Sequence, residues 1–136
     1  MEAIAVPKEL LNETWPFVLR FIQEPLLHEQ GDLTPEKVYN YIEDGTFILL
    51  VCVDKGNIKA ALTLEVIQKP TARIMNLVTT GGTEIDAWQD VMSDTVDIIA
   101  KENNCNFIHT RGRLGWLKQL KRNGYKPLYF IASKEV

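Results

Sequence analysis

The sequence predicts an α+β domain on a mixed sheet, with elements in the order β-α-α-β-β-β-α-β-α-β, and three observations carry that prediction. Apolar residues alternate between helical and strand spacing along the chain, and glycines and prolines mark the changes. A three-strand meander is followed by a long amphipathic helix that has a strand on either side. At 136 residues, with 46% hydrophobic and 24% charged, the chain fits one domain, residues 1–136, with its own core.

Glu2 to Val6 alternates apolar residues and stops at Pro7, as a short edge strand does. From Lys8 to Gln30 the residues Leu10, Leu11, Trp15, Val18, Phe21, Ile22 and Leu26 recur at helical steps. Pro16 suits a first turn capped by Asn12 or Thr14, and Pro25 is expected to kink or split the helix beyond it. Thr34-Pro35 opens a second helix that Gly45 ends. Phe47 to Val53 is a strand covered on both faces, Ile58 to Ile67 its hairpin partner, and Arg73 to Thr79 the third meander strand. Thr83 and Asp86 have the spacing of a capping box at the head of the long helix. Ile85, Trp88, Met92, Val96 and Ile99 form its core stripe, and Asp86, Asp90, Asp94 and Asp97 its acidic face. Phe107 to Arg111 is a strand, Leu114 to Arg122 a short helix ended by Asn123-Gly124, and Pro127 to Ser133 a final strand.

Composition narrows the function classes. The net charge of −3 argues against nucleic-acid binding, and no apolar run approaches the roughly 18–20 residues that span a bilayer. The start of the chain has neither a basic flank nor a signal-like apolar stretch, so the expected location is the cytoplasm. Cys52 and Cys105 lack a close Cys or His at ligand spacing, which predicts two reduced structural thiols and no metal site.

Several residues can carry chemistry. The strand Arg73–Thr79 ends at Gly81-Gly82 and turns into the long helix, where the backbone N–H groups of Gly81, Gly82, Thr83 and Glu84 can hold an anion. The competing reading is that the glycines only permit a tight turn, and the Glu84 and Asp86 carboxylates oppose an anion. Glu65, on one strand face with Thr63 and Ile67, is a candidate general base or a solvated carboxylate. His109 shares a face with Phe107 and Arg111, and is a candidate catalytic group or a hydrogen-bonded structural residue. Arg111 to Lys126 holds six cations and no acid. It reads as a phosphate site led by Arg111 and Arg113, as a docking surface for an acidic protein partner or another copy, or as a solvated helix face. An exposed Trp116 would favour docking.

The element order, the turn Thr79-Thr80-Gly81-Gly82 and the helix ending in Gly124-Tyr125 together resemble the GNAT superfamily of acyl-CoA-dependent N-acyltransferases over almost the whole chain. The run Cys105, Arg111-Gly112-Arg113-Leu114-Gly115-Trp116 and Gly124-Tyr125 is similar to small GNAT-like proteins of bacteriophages. The resemblance implies a donor, acetyl-CoA or another acyl-CoA, with its diphosphate on the amides of the glycine turn. The pantetheine arm would lie between the strands Arg73–Thr79 and Phe107–Arg111, beside Val78 and Thr79. It also implies a carboxylate or water as base and a tyrosine as acid. The loop here departs from the family pattern: it has no basic residue and a shortened glycine spacing. The tyrosine position four residues before the motif glycine is Leu120; Tyr125, the candidate acid, and Tyr129 lie nearby but neither stands at that position. An aromatic after a helix-ending glycine also reads as core packing, and Arg113 falls about where the family often has Asn. The alternative is a non-catalytic phage structural or accessory protein, in the host cytoplasm or on the virion, that keeps the fold and docks through Arg111–Lys126.

Overall fold

A computed structural model describes residues 1–136 and sets five strands side by side in chain order: β1 (Glu2–Ala5), β2 (Ile48–Asp54), β3 (Asn57–Gln68), β4 (Arg73–Gly82) and β5 (Phe107–Thr110). The first four are antiparallel neighbours, and β5 lies parallel to β4. Lys55 and Gly56 both adopt positive φ, 52° and 80°, in the two-residue turn whose twist suits a β2–β3 hairpin.

Two helices, α1 (Leu11–Leu26) and α2 (Pro35–Glu43), pack on one sheet face, and α3 (Ile85–Glu102) packs on the other. The alternation of β2 divides the core accordingly. Leu49 and Val51 join Val18, Phe21, Ile22, Val38 and Ile42 on the α1 side. Leu50 and Cys52 join Leu62, Leu64, Met75, Trp88, Met92 and Val96 on the α3 side. No helix is long and apolar enough to cross a membrane.

Three local expectations are corrected. Helix α1 runs unbroken through Pro16 and Pro25, preceded by a 3-10 turn at Lys8–Leu10, so neither Asn12 nor Thr14 is its cap. Each proline removes one N–H bond, but the buried Leu11, Val18, Phe21 and Ile22 anchor the helix on both sides of Pro16, and Pro25 falls in the last turn. The capping box at Thr83 does not form. Thr83 N–H donates to Lys59 O at 3.0 Å and Thr83 O accepts from Trp88 Nε1 at 2.8 Å, which ties Thr83 to the sheet and leaves Glu84, at φ 56°, at the helix head without a side-chain cap.

The third correction is the final strand. After β5 the chain makes a 3-10 turn at Leu114–Trp116 and the short helix α4 (Leu117–Arg122), and Pro127–Ser133 then pairs with no strand. Gly124 turns at φ 89° and Tyr125 N–H donates to Leu120 O at 3.1 Å. From there the segment reaches the end of α1, where Ser133 Oγ lies 2.9 Å from Gln30 Oε1. That route carries it away from the ladder that its apolar residues suit.

Candidate functional site

The site begins with a mismatch in strand length. β4 and β5 are in register from Ile74–Phe107 to Leu77–Thr110, and there β5 stops while β4 continues to Gly82. A cleft of about 550 Å³ opens at that point, within the range typical of small-molecule sites. Leu77, Val78 and Thr80 form one wall and Thr110, Arg111 and Arg113 the other, with Trp88, Gln89 and Met92 of α3 as the floor. Trp116, Gln119 and Tyr125 close one end, and Glu24, His28, Glu29 and Asp32, at and beyond the end of α1, form the rim.

A β-bulge shapes the β4 wall. Thr63 pairs with Thr79 and Leu64 with Leu77, so Val78 has no partner on β3. Such a bulge re-aims backbone groups beside a site. Thr79 N–H donates to Thr63 Oγ1 at 3.1 Å and the two hydroxyls lie 2.7 Å apart, which satisfies polar groups that are fully buried behind the wall.

Of the residues expected to bind a donor, Val78, Arg111 and Arg113 line the cleft and Thr79 lies buried behind it. Gly81 and Gly82 stay in the β3–β4 ladder opposite Ala61 and Ala60 and do not line it. A Cβ on Gly81 would meet the Phe21 carbonyl oxygen and lie 2.8 Å from its carbon. One on Gly82 would lie 2.7 Å from the Ala60 Cβ. Close packing of α1 and β3 on β4 is thus sufficient reason for both glycines. Thr83 borders a separate depression shared with Arg20 and Lys59, and its N–H is already engaged. Glu84 and Asp86 place two carboxylates at the head of α3.

The three catalytic candidates separate. Tyr125 lines the cleft, and burial, reinforced by the Asp97 charge, pushes its phenol up to about 12. Glu65 accepts from Asn76 Nδ2 at 3.1 Å and does not reach the cleft wall. The ring of His109 stacks on Phe107 at 6.2 Å and also stays off the wall. In the basic segment, Arg111 pairs with Asp32 at 2.9 Å, Arg113 with Glu24 at 4.0 Å and Arg122 with Asp90 at 2.8 Å. These pairs are exposed and worth less than about 1 kcal/mol each, so an anion at the rim can displace them.

The structure adds cleft residues that the sequence did not single out. Gln89 Nε2 donates to Gln119 O at 2.7 Å and to Asn123 Oδ1 at 2.6 Å, which fastens α4 to α3. The Oε1 atoms of Gln89 and Gln119 and Oε2 of Glu29 are buried without a partner, and all three residues line the cleft. Orphaned acceptors in a cavity wall suit a ligand that brings N–H groups. Burial raises the Glu29 pKa, with Arg111 opposing and Asp32 adding to the effect. Gln89 had a visible signal, a polar residue four after Ile85 on an apolar helix stripe; Glu29 had none.

No family model matches the chain, and no curated protein matches it. Its structure is similar to a mutant of the BH1408 protein from Bacillus halodurans, with a TM-score of 0.77 at 13% identity over 100% of this chain and 99% of that one. It is also similar to a predicted acetyltransferase with acetyl-CoA from Clostridium acetobutylicum, with a TM-score of 0.73 at 12% identity over 98% and 95% of the two chains. A GCN5-related N-acetyltransferase from Ralstonia eutropha gives a TM-score of 0.72 at 14% identity over 98% and 97%. The chain therefore has the GNAT fold, the fold of the GCN5-related N-acetyltransferases.

Proposed function

We propose that the protein binds an acyl-CoA in the β4/β5 cleft and transfers the acyl group to an amine. The observation that carries this reading is the divergence of β4 and β5 past Leu77 and Thr110, with the bulge at Val78 on its edge. The cleft residues fit the arm of such a donor. The Gln89 and Gln119 oxygens can accept from its amide N–H groups, and Val78 carries backbone groups unpaired on β3 beside the place for a thioester carbonyl. For the diphosphate, Arg111 and Arg113 at the rim supply the charge, and the amides from Gly81 to Glu84 contribute only what the sheet leaves free.

Tyr125 stays protonated and can donate to a departing sulfur, but its acidity limits how far. A phenol near 12 lies above a thiol of about 8.5, so full transfer is uphill by about 5 kcal/mol and Tyr125 acts by hydrogen bonding. The amine's proton passes to water or to Glu29, whose raised pKa makes it the stronger base among ordinary carboxylates, while Glu65 would need a water to reach the cleft. Acetyl-CoA is expected to raise the melting temperature, and no shift at millimolar acetyl-CoA would overturn the proposal.

One observation favours a second reading, a non-catalytic binding protein on the same fold. The head of α3 carries Glu84 and Asp86 where a diphosphate needs positive charge, and Lys118, Lys121 and Lys126 form no ion pair. In that case reversing Arg113 and Lys118 to glutamate abolishes partner capture with the fold intact, and unchanged capture rejects the surface. The phage resemblance extends either reading to a protein of the host cytoplasm or of the virion.

A further inference from the structure

The cleft is short of hydrogen-bond donors. Oε1 of Gln89, a residue only 9% exposed, Oε1 of Gln119 and Oε2 of Glu29 are buried there without a partner, and all three are acceptors. A buried acceptor left unmet is costly, so the cleft favours a ligand that brings N–H groups. The amides of an acyl donor's arm can meet the two glutamines. Glu29 then remains, and as a carboxylate it calls for a cation. Burial raises its pKa and the Arg111 charge only partly offsets that, so the arginine does not fill the place.

Two more carboxylates stand on the same rim, each held by an arginine from beyond β5. Asp32 pairs with Arg111 at 2.9 Å and Glu24 with Arg113 at 4.0 Å, and His28 Nε2 lies 3.1 Å from Glu24. These side chains are about half exposed, so the pairs exchange at little cost. Arg111 and Arg113 are also the cations that face a donor's diphosphate, which carries more charge than one carboxylate. Once they turn to it, Asp32 and Glu24 lose their partners on the rim they share with Glu29. The three carboxylates do not converge as ligands of one metal ion. They suit separate cationic centres spaced along one molecule.

Taking the donor to lie in the β4/β5 cleft, we propose that the α1 end of the cleft selects a polycationic amine. Its reacting nitrogen meets Glu29, and a second cationic centre of the same molecule takes Asp32 and Glu24 as Arg111 and Arg113 turn to the donor. Amines that carry a carboxylate or phosphate are disfavoured, because three acids face them once the arginines are engaged. Donor and amine then bind with positive coupling, since each removes a competitor for the other's partners.

Isothermal titration tests this on the full chain, with CoA as an unreactive donor and with the diamine putrescine and the monoamine butylamine as probes. The diamine is expected to bind at least about tenfold more tightly than the monoamine, and at least about fivefold more tightly with CoA present than without it. Glu24→Gln combined with Asp32→Asn changes two exposed side chains. It is expected to bring the diamine down to the affinity of the monoamine, with CoA bound no more weakly and helix content by circular dichroism unchanged. A diamine bound no better than butylamine overturns the proposal, as does a diamine affinity indifferent to CoA or a double variant that keeps the preference. Any of these beside saturable CoA binding leaves the donor cleft standing. A wild-type chain that does not bind CoA overturns the donor reading and the amine selection with it.

Discussion

Replacing Gly81 by alanine separates two roles for the glycines at the end of β4. A methyl group there meets the Phe21 carbonyl oxygen, with the carbonyl carbon 2.8 Å away, and both belong to the backbone of α1. Backbone cannot rotate out of the way as a side chain can, so α1 has to lift from the sheet by about 1 Å, which loosens the packing of Val18, Phe21 and Ile22. Overpacking of a core costs about 1–3 kcal/mol, and a backbone clash belongs at the upper end. For a domain of this length, about 3 kcal/mol lowers the melting temperature by roughly 10 °C. Urea unfolding of the ligand-free protein measures it directly, with Gly115→Ala as the control because nothing lies within 4 Å of that position. The control is expected to match wild type within about 0.5 kcal/mol. A Gly81→Ala protein as stable as the control would refute the packing argument and return the glycine to a role in ligand binding alone.

Three further outcomes rest on the same geometry. Thr63→Val leaves the buried Thr79 N–H without its acceptor and the Thr79 hydroxyl without its partner, and is expected to cost about 1–3 kcal/mol by urea unfolding. For Tyr125 the folded pKa, about 12, exceeds the ordinary value of 10.0, so the unfolded chain loses this proton first as pH rises. Stability from this group is complete below pH 10 and falls by about 2–3 kcal/mol toward pH 12, a loss that Tyr125→Phe removes in alkaline denaturation. Glu84→Gly relieves a left-handed residue at φ 56° and removes a carboxylate from the head of α3. It is expected to raise stability by about 0.5 kcal/mol and to tighten acetyl-CoA binding, and weaker binding would contradict the placement of the donor near α3.

Most of the fold was legible because hydrophobic period and turn chemistry agreed. Thr34-Pro35 capped α2 as its residues require, with Lys37 N–H donating to Thr34 Oγ1, and Lys55-Gly56 made the hairpin. What failed depended on tertiary contacts. Pro16 reads as a helix start, but the core contacts of α1 carry the helix past it, and Thr83 reads as a cap until Lys59 and Trp88 claim its backbone. Pro127–Ser133 has the residues of a strand but lacks a neighbour on its own sheet, which local sequence cannot reveal. The resemblance in element order pointed to an opening between β4 and β5 with Arg111 and Arg113 near it, and a cleft lined by both lies there. Tyr125 lines it too although no motif position led to it, and the bulge at Val78 and the orphaned oxygens of Gln89, Gln119 and Glu29 had no counterpart in local sequence. Glu65 on β3 and His109 on β5 were chosen by strand face, and neither lines the cleft.

The central claim is that the divergence of β4 and β5 holds an acyl-CoA. Isothermal titration of acetyl-CoA into wild type and into Thr80→Trp, which fills the cleft wall, tests it most directly. Saturable binding of one acetyl-CoA per chain is expected for wild type, with at least about a tenfold loss for the filled cleft. Heat that never saturates, or equal binding by the two proteins, would contradict it.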